Sequence, residues 1–139
     1  MKPSVFVAIF CGTERDGWLC PEFAQFFAAL TIEKRAVTVH TQHETRPIDY
    51  ARNLAGRAFL ASDAEWLLMA DNDMGLPASL LKIIDWAPAN ADIVVPRFYR
   101  AASQRDGGIG VQLCWELLEP AKNEPWPELV AAGTGCMAV

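Results

Sequence analysis

The chain has 139 residues, which suits one domain, and 52% of them are apolar while 21% are charged. This balance is that of a folded globular protein and excludes an intrinsically disordered chain. Acidic residues outnumber basic ones 17 to 12. Because no basic block is present, the composition argues against a nucleic-acid duplex or an anionic membrane surface as partner.

The lengths of the apolar runs and the spacing of the cysteines indicate the cellular compartment. No run approaches the ~20 residues that a membrane-spanning helix needs. The N-terminal stretch MKPSVFVAIFCG has a short apolar segment between Pro3 and Gly12, which we interpret as a first strand and not as a secretory leader. The 4 cysteines lie far apart without CxxC spacing. They are interpreted as free thiols in a reducing compartment, and we expect a cytoplasmic protein.

Strands and helices alternate along most of the chain. Hydrophobic periodicity predicts strands at 4–10, 36–41, 65–70 and 92–95, with helices at 22–30, 47–60 and 77–88 between them. The arginine- and glycine-containing stretch 97–110 is predicted to be a loop, 111–117 an antiparallel strand, and 133–139 a final strand. Trp66 and Trp86 are predicted to be core residues. This order predicts an α/β fold with a mainly parallel sheet, helices on both faces, and antiparallel strands near the C-terminus.

The third predicted strand ends in a pair of carboxylates, within 66-WLLMADNDMGLP-77. Ligands of such sheets bind outside the carboxyl ends of the strands, where Asp71 and Asp73 would lie. Oxygen ligands at that place suit Mg²⁺ or Mn²⁺, which keep open positions for substrate phosphates. The alternative interpretation is a solvated acidic turn before the helix that Pro77 begins.

The stretch 46-RPIDYARNLAGR-57 places polar side chains on the helix that leads to this strand. A guanidinium such as that of Arg52 binds a diphosphate through two parallel hydrogen bonds, and the amide of Asn53 suits a sugar hydroxyl. The alternative is a polar, solvent-exposed helix face.

Three segments in this order, PIDYARN, SDAEWLLMADNDMGLP and AGTGCMAV, resemble the glycosyltransferases of the GT-A fold. The resemblance is to the large family 2 type and its bacterial and phage relatives, and it extends from Val5 to Val139. In that family an ARN segment opens a helix, a strand ends in the DxD motif, and a later G-x-G strand lines the donor or acceptor pocket.

The resemblance implies the fold of the nucleotide-diphospho-sugar transferases and a role for each matching residue. Asp71 and Asp73 match the DxD motif and would hold Mn²⁺ or Mg²⁺ on the diphosphate of a UDP- or GDP-sugar. Arg52 and Asn53 match the segment that touches the nucleotide or its sugar.

Two further segments receive roles from the same resemblance. Thr13 and Glu14 match the loop that borders the nucleoside. Gly133, Thr134 and Gly135 match the small-residue strand beside the transferred sugar. The implied activity is metal-dependent transfer of that sugar to an acceptor hydroxyl.

In this family the catalytic base follows the G-x-G strand, so we expect residues 1–139 to form a single GT-A-like domain that ends before the base. One alternative is therefore a truncated, non-catalytic remnant that binds a nucleotide sugar or serves as a subunit of an assembly. Another is a nucleotidyltransferase, which is disfavoured because no glycine-rich phosphate loop bearing Lys or Arg follows the first strand.

Overall fold

The structure is a computed structural model that describes residues 2–12, 21–43, 47–72, 74–96, 99–103, 109–113, 115–117, 129–132 and 136–139. Its elements are β1 (Val5–Cys11), α1 (Pro21–Thr31), β2 (Val37–His43), α2 (Ile48–Leu60), β3 (Trp66–Asp71), α3 (Lys82–Asp85), β4 (Tyr99–Ser103), β5 (Ile109–Leu113), β6 (Trp115–Leu117), β7 (Leu129–Ala132) and β8 (Cys136–Ala138). Within these residues, no helix combines the length and the apolar composition needed to cross a bilayer.

The central sheet has four strands in the order β2-β1-β3-β8. The first three are parallel, and β8 is antiparallel to β3. Residues 5–10 of β1 are all buried, which explains the unbroken apolar run in the sequence. The prediction of an α/β fold with a mainly parallel sheet and an antiparallel strand near the C-terminus is confirmed.

The two long helices cover opposite faces of this sheet. Val5, Val7 and Ile9 pack in one core with α1, and the alternate residues of β1 pack in a second core with α2. Helix α1 connects β1 to its neighbour β2, and α2 carries the chain back across β1 to β3. The direction of winding therefore reverses between β1 and β3, and the switch point of the sheet lies at the carboxyl ends of these two strands.

The helix predicted at 77–88 is much shorter in the structure. The backbone N–H groups of Leu80 and Ile84 donate to carbonyls three residues earlier, and α3 itself spans only Lys82–Asp85. These tighter turns still bury the apolar side chains of Leu80, Leu81 and Ile84. Trp86 follows the end of α3 and is 64% exposed, so the prediction that it is a core residue is wrong.

Strand pairing also differs from the prediction in the second half of the chain. The predicted strand 92–95 is reduced to a single bridge, in which Val94 exchanges two hydrogen bonds of 2.8 Å with Ala138. The predicted loop 97–110 contains β4, which pairs with β5, and the predicted strand 111–117 is divided between β5 and β6, which pairs with β7. The composition of these segments could not show the strand pairing, because strand formation depends on the partner that supplies the hydrogen bonds.

An ionic cluster lies at the amino ends of the parallel strands. The Nη2 atom of Arg35 donates to both carboxylate oxygens of Asp85 at 2.8 Å, and the Arg35 side chain is fully buried. Arg35 Nε lies 3.6 Å from Glu33, and Lys2 contacts the carboxylates of Glu33 and Asp85 at 3.5 and 3.4 Å. The cluster joins the N-terminus, the start of β2 and α3.

This cluster predicts a loss of stability in acid. Burial raises the pKa of Asp85, but the hydrogen bond and charge of Arg35 and the charge of Lys2 outweigh it, so the pKa is below its ordinary value of 3.8. Burial also raises the pKa of Glu33, but the Lys34 backbone N–H and the charges of Arg35 and Lys2 bring it below 4.5. A carboxyl whose pKa is lower in the folded state stabilises the protein above its unfolded pKa, and this contribution disappears as pH falls through the folded pKa.

The expected result is a free energy of unfolding that decreases between about pH 5 and pH 3, less steeply in Asp85→Asn than in the wild type. Urea denaturation at several pH values measures both slopes. Identical slopes in the two proteins would show that the Arg35–Asp85 pair contributes nothing to this dependence.

Candidate functional site

The candidate site lies at the switch point, where β1 and β3 end side by side. Phe10 of β1 is in register with Asp71, the last residue of β3. The Asn72 N–H donates a 3.0 Å hydrogen bond to the Phe10 carbonyl, which continues the pairing one step beyond β3. The buried strand thus delivers Asp71 and Asn72 to the edge of the sheet at which α/β proteins bind ligands.

Helix α2 brings a guanidinium to this carboxylate. Arg52 Nη2 lies 3.6 Å from Asp71 Oδ1, and the two side chains are 21% and 30% exposed. The guanidinium carbon also lies 5.7 Å from the centroid of the Phe10 ring, within cation–π range. Ala51 and Ala55 are buried against the sheet, and their small side chains allow α2 to approach it closely enough for Arg52 to reach Asp71.

Seven other residues were predicted from the sequence to belong to the site. Asn53 is exposed on α2 and takes no part in the Arg52–Asp71 contact. The remaining six lie outside the described residues: Thr13, Glu14, Asp73, Gly133, Thr134 and Gly135. Of the predicted site residues, the structure shows Arg52 and Asp71 in contact.

Asn72 is a site residue that our motif analysis did not assign. Its side chain is buried, with 3% of the residue exposed, and its Nδ2 has no hydrogen-bond partner among the described residues. A buried donor in that condition costs about 1–3 kcal/mol, and such groups are commonly satisfied by a ligand or an ordered water. The sequence signal was its position between the two aspartates, directly after the end of β3.

The environment of Cys11 and Cys136 at this edge favours the protonated thiol over the thiolate. Cys136 of β8 pairs with Ala70, and burial, followed by the negative charge of Asp71, raises the pKa of its thiol to about 12. Burial also raises the pKa of Cys11 at the end of β1. Both thiols are therefore protonated at neutral pH, whereas nucleophilic catalysis needs a thiolate.

The site combines three chemical capacities in one place. Asp71 accepts hydrogen bonds or donates oxygen ligands to a hard cation, Arg52 provides a positive charge, and Asn72 provides a free donor. In the part of the chain that the structure describes, no three His, Cys, Asp or Glu side chains form a group that could hold a metal ion. Asp71 contributes one carboxylate of the kind that Mg²⁺ and Mn²⁺ prefer, and Asp73, two residues further along the sequence, lies outside the described residues.

Comparison with known proteins adds no relative to this description. No family model matches the chain, and neither a curated protein nor a solved structure matches it. The fold and the site define the class: an α/β protein whose four-stranded, mostly parallel sheet carries an ionic site at its switch point.

Proposed function

We propose that the chain is a metal-dependent glycosyltransferase domain of the GT-A type, which binds a UDP- or GDP-sugar and transfers the sugar to an acceptor hydroxyl. The observation that supports this most is the contact between Arg52 and Asp71 at the switch point of a parallel sheet. One charged pair there offers an oxygen ligand for a cation and a guanidinium for a phosphate.

In this proposal Asp71 and Asp73 hold the Mn²⁺ or Mg²⁺ ion. The bound cation would offset the negative charge that develops on the departing nucleoside diphosphate. Arg52 binds the diphosphate oxygens, and Asn53, on the same helix, contacts the nucleotide or its sugar. Asn72 lies directly beside Asp71 and has a buried donor available for a ligand oxygen.

The remaining contacts are proposed from the sequence motifs. Thr13 and Glu14 follow β1 and border the nucleoside, while Gly133, Thr134 and Gly135 precede β8 and border the transferred sugar. The location proposed for the protein is the cytoplasm, where the free thiols of Cys11 and Cys136 would be stable.

Calorimetry with UDP and with GDP, each with and without Mn²⁺, tests this function. We expect binding of one nucleotide to require Mn²⁺, and Asp71→Asn to weaken that binding about tenfold or more, since even indirect partners of a metal ligand change affinity by 10–100-fold. The matched control is Asp63→Asn, an exposed aspartate before the other end of β3. This control should bind the nucleotide as the wild type does.

Two results would contradict the proposal: nucleotide binding that does not depend on the metal, or no binding in a folded sample. Metal-dependent binding without sugar transfer or donor hydrolysis would instead favour a non-catalytic nucleotide-sugar-binding protein. Both classes predict the same effect of Asp71→Asn on binding, so transfer activity distinguishes them.

A further inference from the structure

We propose that Arg52 is an internal counterion of Asp71 that the divalent cation must displace, so that metal binding releases the guanidinium to the nucleotide diphosphate. This inference rests on the proposed function, because it takes Asp71 to be a ligand of the cation. It adds that the binding of the metal and the binding of the nucleotide are coupled through the side chain of Arg52 on α2.

The contact has the geometry of an exchangeable pair. The Nη2–Oδ1 distance of 3.6 Å is within ion-pair range but longer than a good N–H···O hydrogen bond. Both side chains are partly exposed, and water competes with an ion pair of this type, which weakens it. The contact is therefore one that a divalent cation can replace.

Arg52 and a divalent cation compete for the Asp71 carboxylate. Asp71 Oδ1 is a buried atom that lies 3.6 Å from the guanidinium nitrogen Nη2. A cation held by this carboxylate would lie close to the positive charge of Arg52, and like charges at short separation repel. We therefore expect Arg52 to move away when the cation binds.

Phe10 keeps the displaced guanidinium at the site. Its ring lies under the Arg52 guanidinium, 5.7 Å from centroid to carbon, and such a contact is attractive even when exposed. Because Phe10 is the next-to-last residue of β1, a guanidinium that stays over this ring remains at the carboxyl edge of the sheet, where the proposed function places the diphosphate. A guanidinium pairs with phosphate through two parallel hydrogen bonds, which is a stronger contact than the one it leaves.

If Arg52 exchanges partners in this way, Arg52→Gln should change the affinities for Mn²⁺ and for the nucleotide in opposite directions. Titration of Mn²⁺ alone should show roughly fivefold tighter binding, because the competing charge has been removed. Titration of UDP or GDP at saturating Mn²⁺ should show roughly tenfold weaker binding, because the diphosphate has lost its guanidinium. If Arg52 were only a structural support, both affinities would fall together.

Two further variants complete the experiment. Arg57→Gln removes an exposed arginine from the same helix and should leave both affinities unchanged. Arg52→Lys keeps the charge without the planar fork, so Mn²⁺ affinity should stay near that of the wild type while nucleotide affinity falls. It also serves as the conservative substitution if Arg52→Gln proves unstable, with circular dichroism as the test of folding.

The outcomes separate this inference from the function on which it rests. Equal or weaker Mn²⁺ binding in Arg52→Gln overturns the exchange, while the metal site at Asp71 stands as long as Asp71→Asn abolishes Mn²⁺ binding. Absence of Mn²⁺ binding in both the wild type and Arg52→Gln, or binding that survives Asp71→Asn, overturns the metal site and the exchange together. Mn²⁺ binding that appears only in Arg52→Gln supports the exchange.

Discussion

Phe26→Ala is expected to lower the free energy of unfolding by about 3–5 kcal/mol. Phe26 is fully buried on the face of α1 that packs in the same core as alternate residues of β1, and its ring lies 5.8 Å from that of Phe23 in an edge-to-face arrangement. Truncation removes the apolar area of the ring and also leaves a cavity that neighbouring side chains fill only in part. The free energy of unfolding of a domain of this size is about 5–15 kcal/mol, so this loss is a large share of the total.

The matched control is the next residue of the same helix. Phe27 is 39% exposed, and Phe27→Ala should cost about 1 kcal/mol or less because much of its ring is already in contact with water. Urea denaturation followed by far-UV circular dichroism measures both variants. Similar losses in the two variants would mean that α1 does not pack against β1 through the face described above.

Arg35→Met is expected to cost about 2–4 kcal/mol, the second large effect on stability. The guanidinium is fully buried and donates to both oxygens of Asp85, whose side chain is 18% exposed. Among the described residues, removal of Arg35 leaves the Asp85 carboxylate with the more distant Lys2 as its counterion. Because water still reaches Asp85, the loss should fall toward the lower end of this range.

Lys34→Met provides the control, because Lys34 is exposed and directly precedes Arg35. Its substitution should change the free energy of unfolding by less than about 0.5 kcal/mol. The double variant Arg35→Met, Asp85→Leu should recover much of the loss, since replacement of a buried pair by apolar side chains is often neutral. A double variant as unstable as Arg35→Met alone would show that packing of the arginine stem, and not the unpaired carboxylate, determines the loss.

The Arg35–Asp85 and Arg52–Asp71 pairs, both in the described part of the chain, differ in a way that matches their proposed roles. The Arg35–Asp85 pair is short, at 2.8 Å, and its guanidinium is fully buried at the amino edge of the sheet. The Arg52–Asp71 pair is longer, at 3.6 Å, and partly exposed at the carboxyl edge, where ligands bind. The first geometry suits a permanent structural contact, and the second suits a pair that exchanges partners.

Local sequence patterns predicted those features that depend on local burial. The apolar segment between Pro3 and Gly12 predicted the first strand, and the helical spacing of apolar residues predicted a helix at 47–60, where the structure has β1 and α2. The same reasoning placed Asp71 at the end of β3, where the structure has it. A strand covered on both faces leaves an unbroken apolar run in the chain, and an amphipathic helix leaves a period of 3.6 residues, so composition and spacing were sufficient for these elements.

The contacts between distant segments were decided only by the tertiary structure. The order β2-β1-β3-β8 locates the switch point beside Asp71, and the close approach of α2 brings Arg52 to that carboxylate. The pairing of β4 with β5 and the Arg35–Asp85 contact likewise join residues with no common local pattern. Periodicity reports which side of an element is buried but carries no information about the partner that buries it. The sequence by itself therefore indicated Arg52 and Asp71 as candidate residues, and the packing of α2 on the sheet determined that these two side chains face each other.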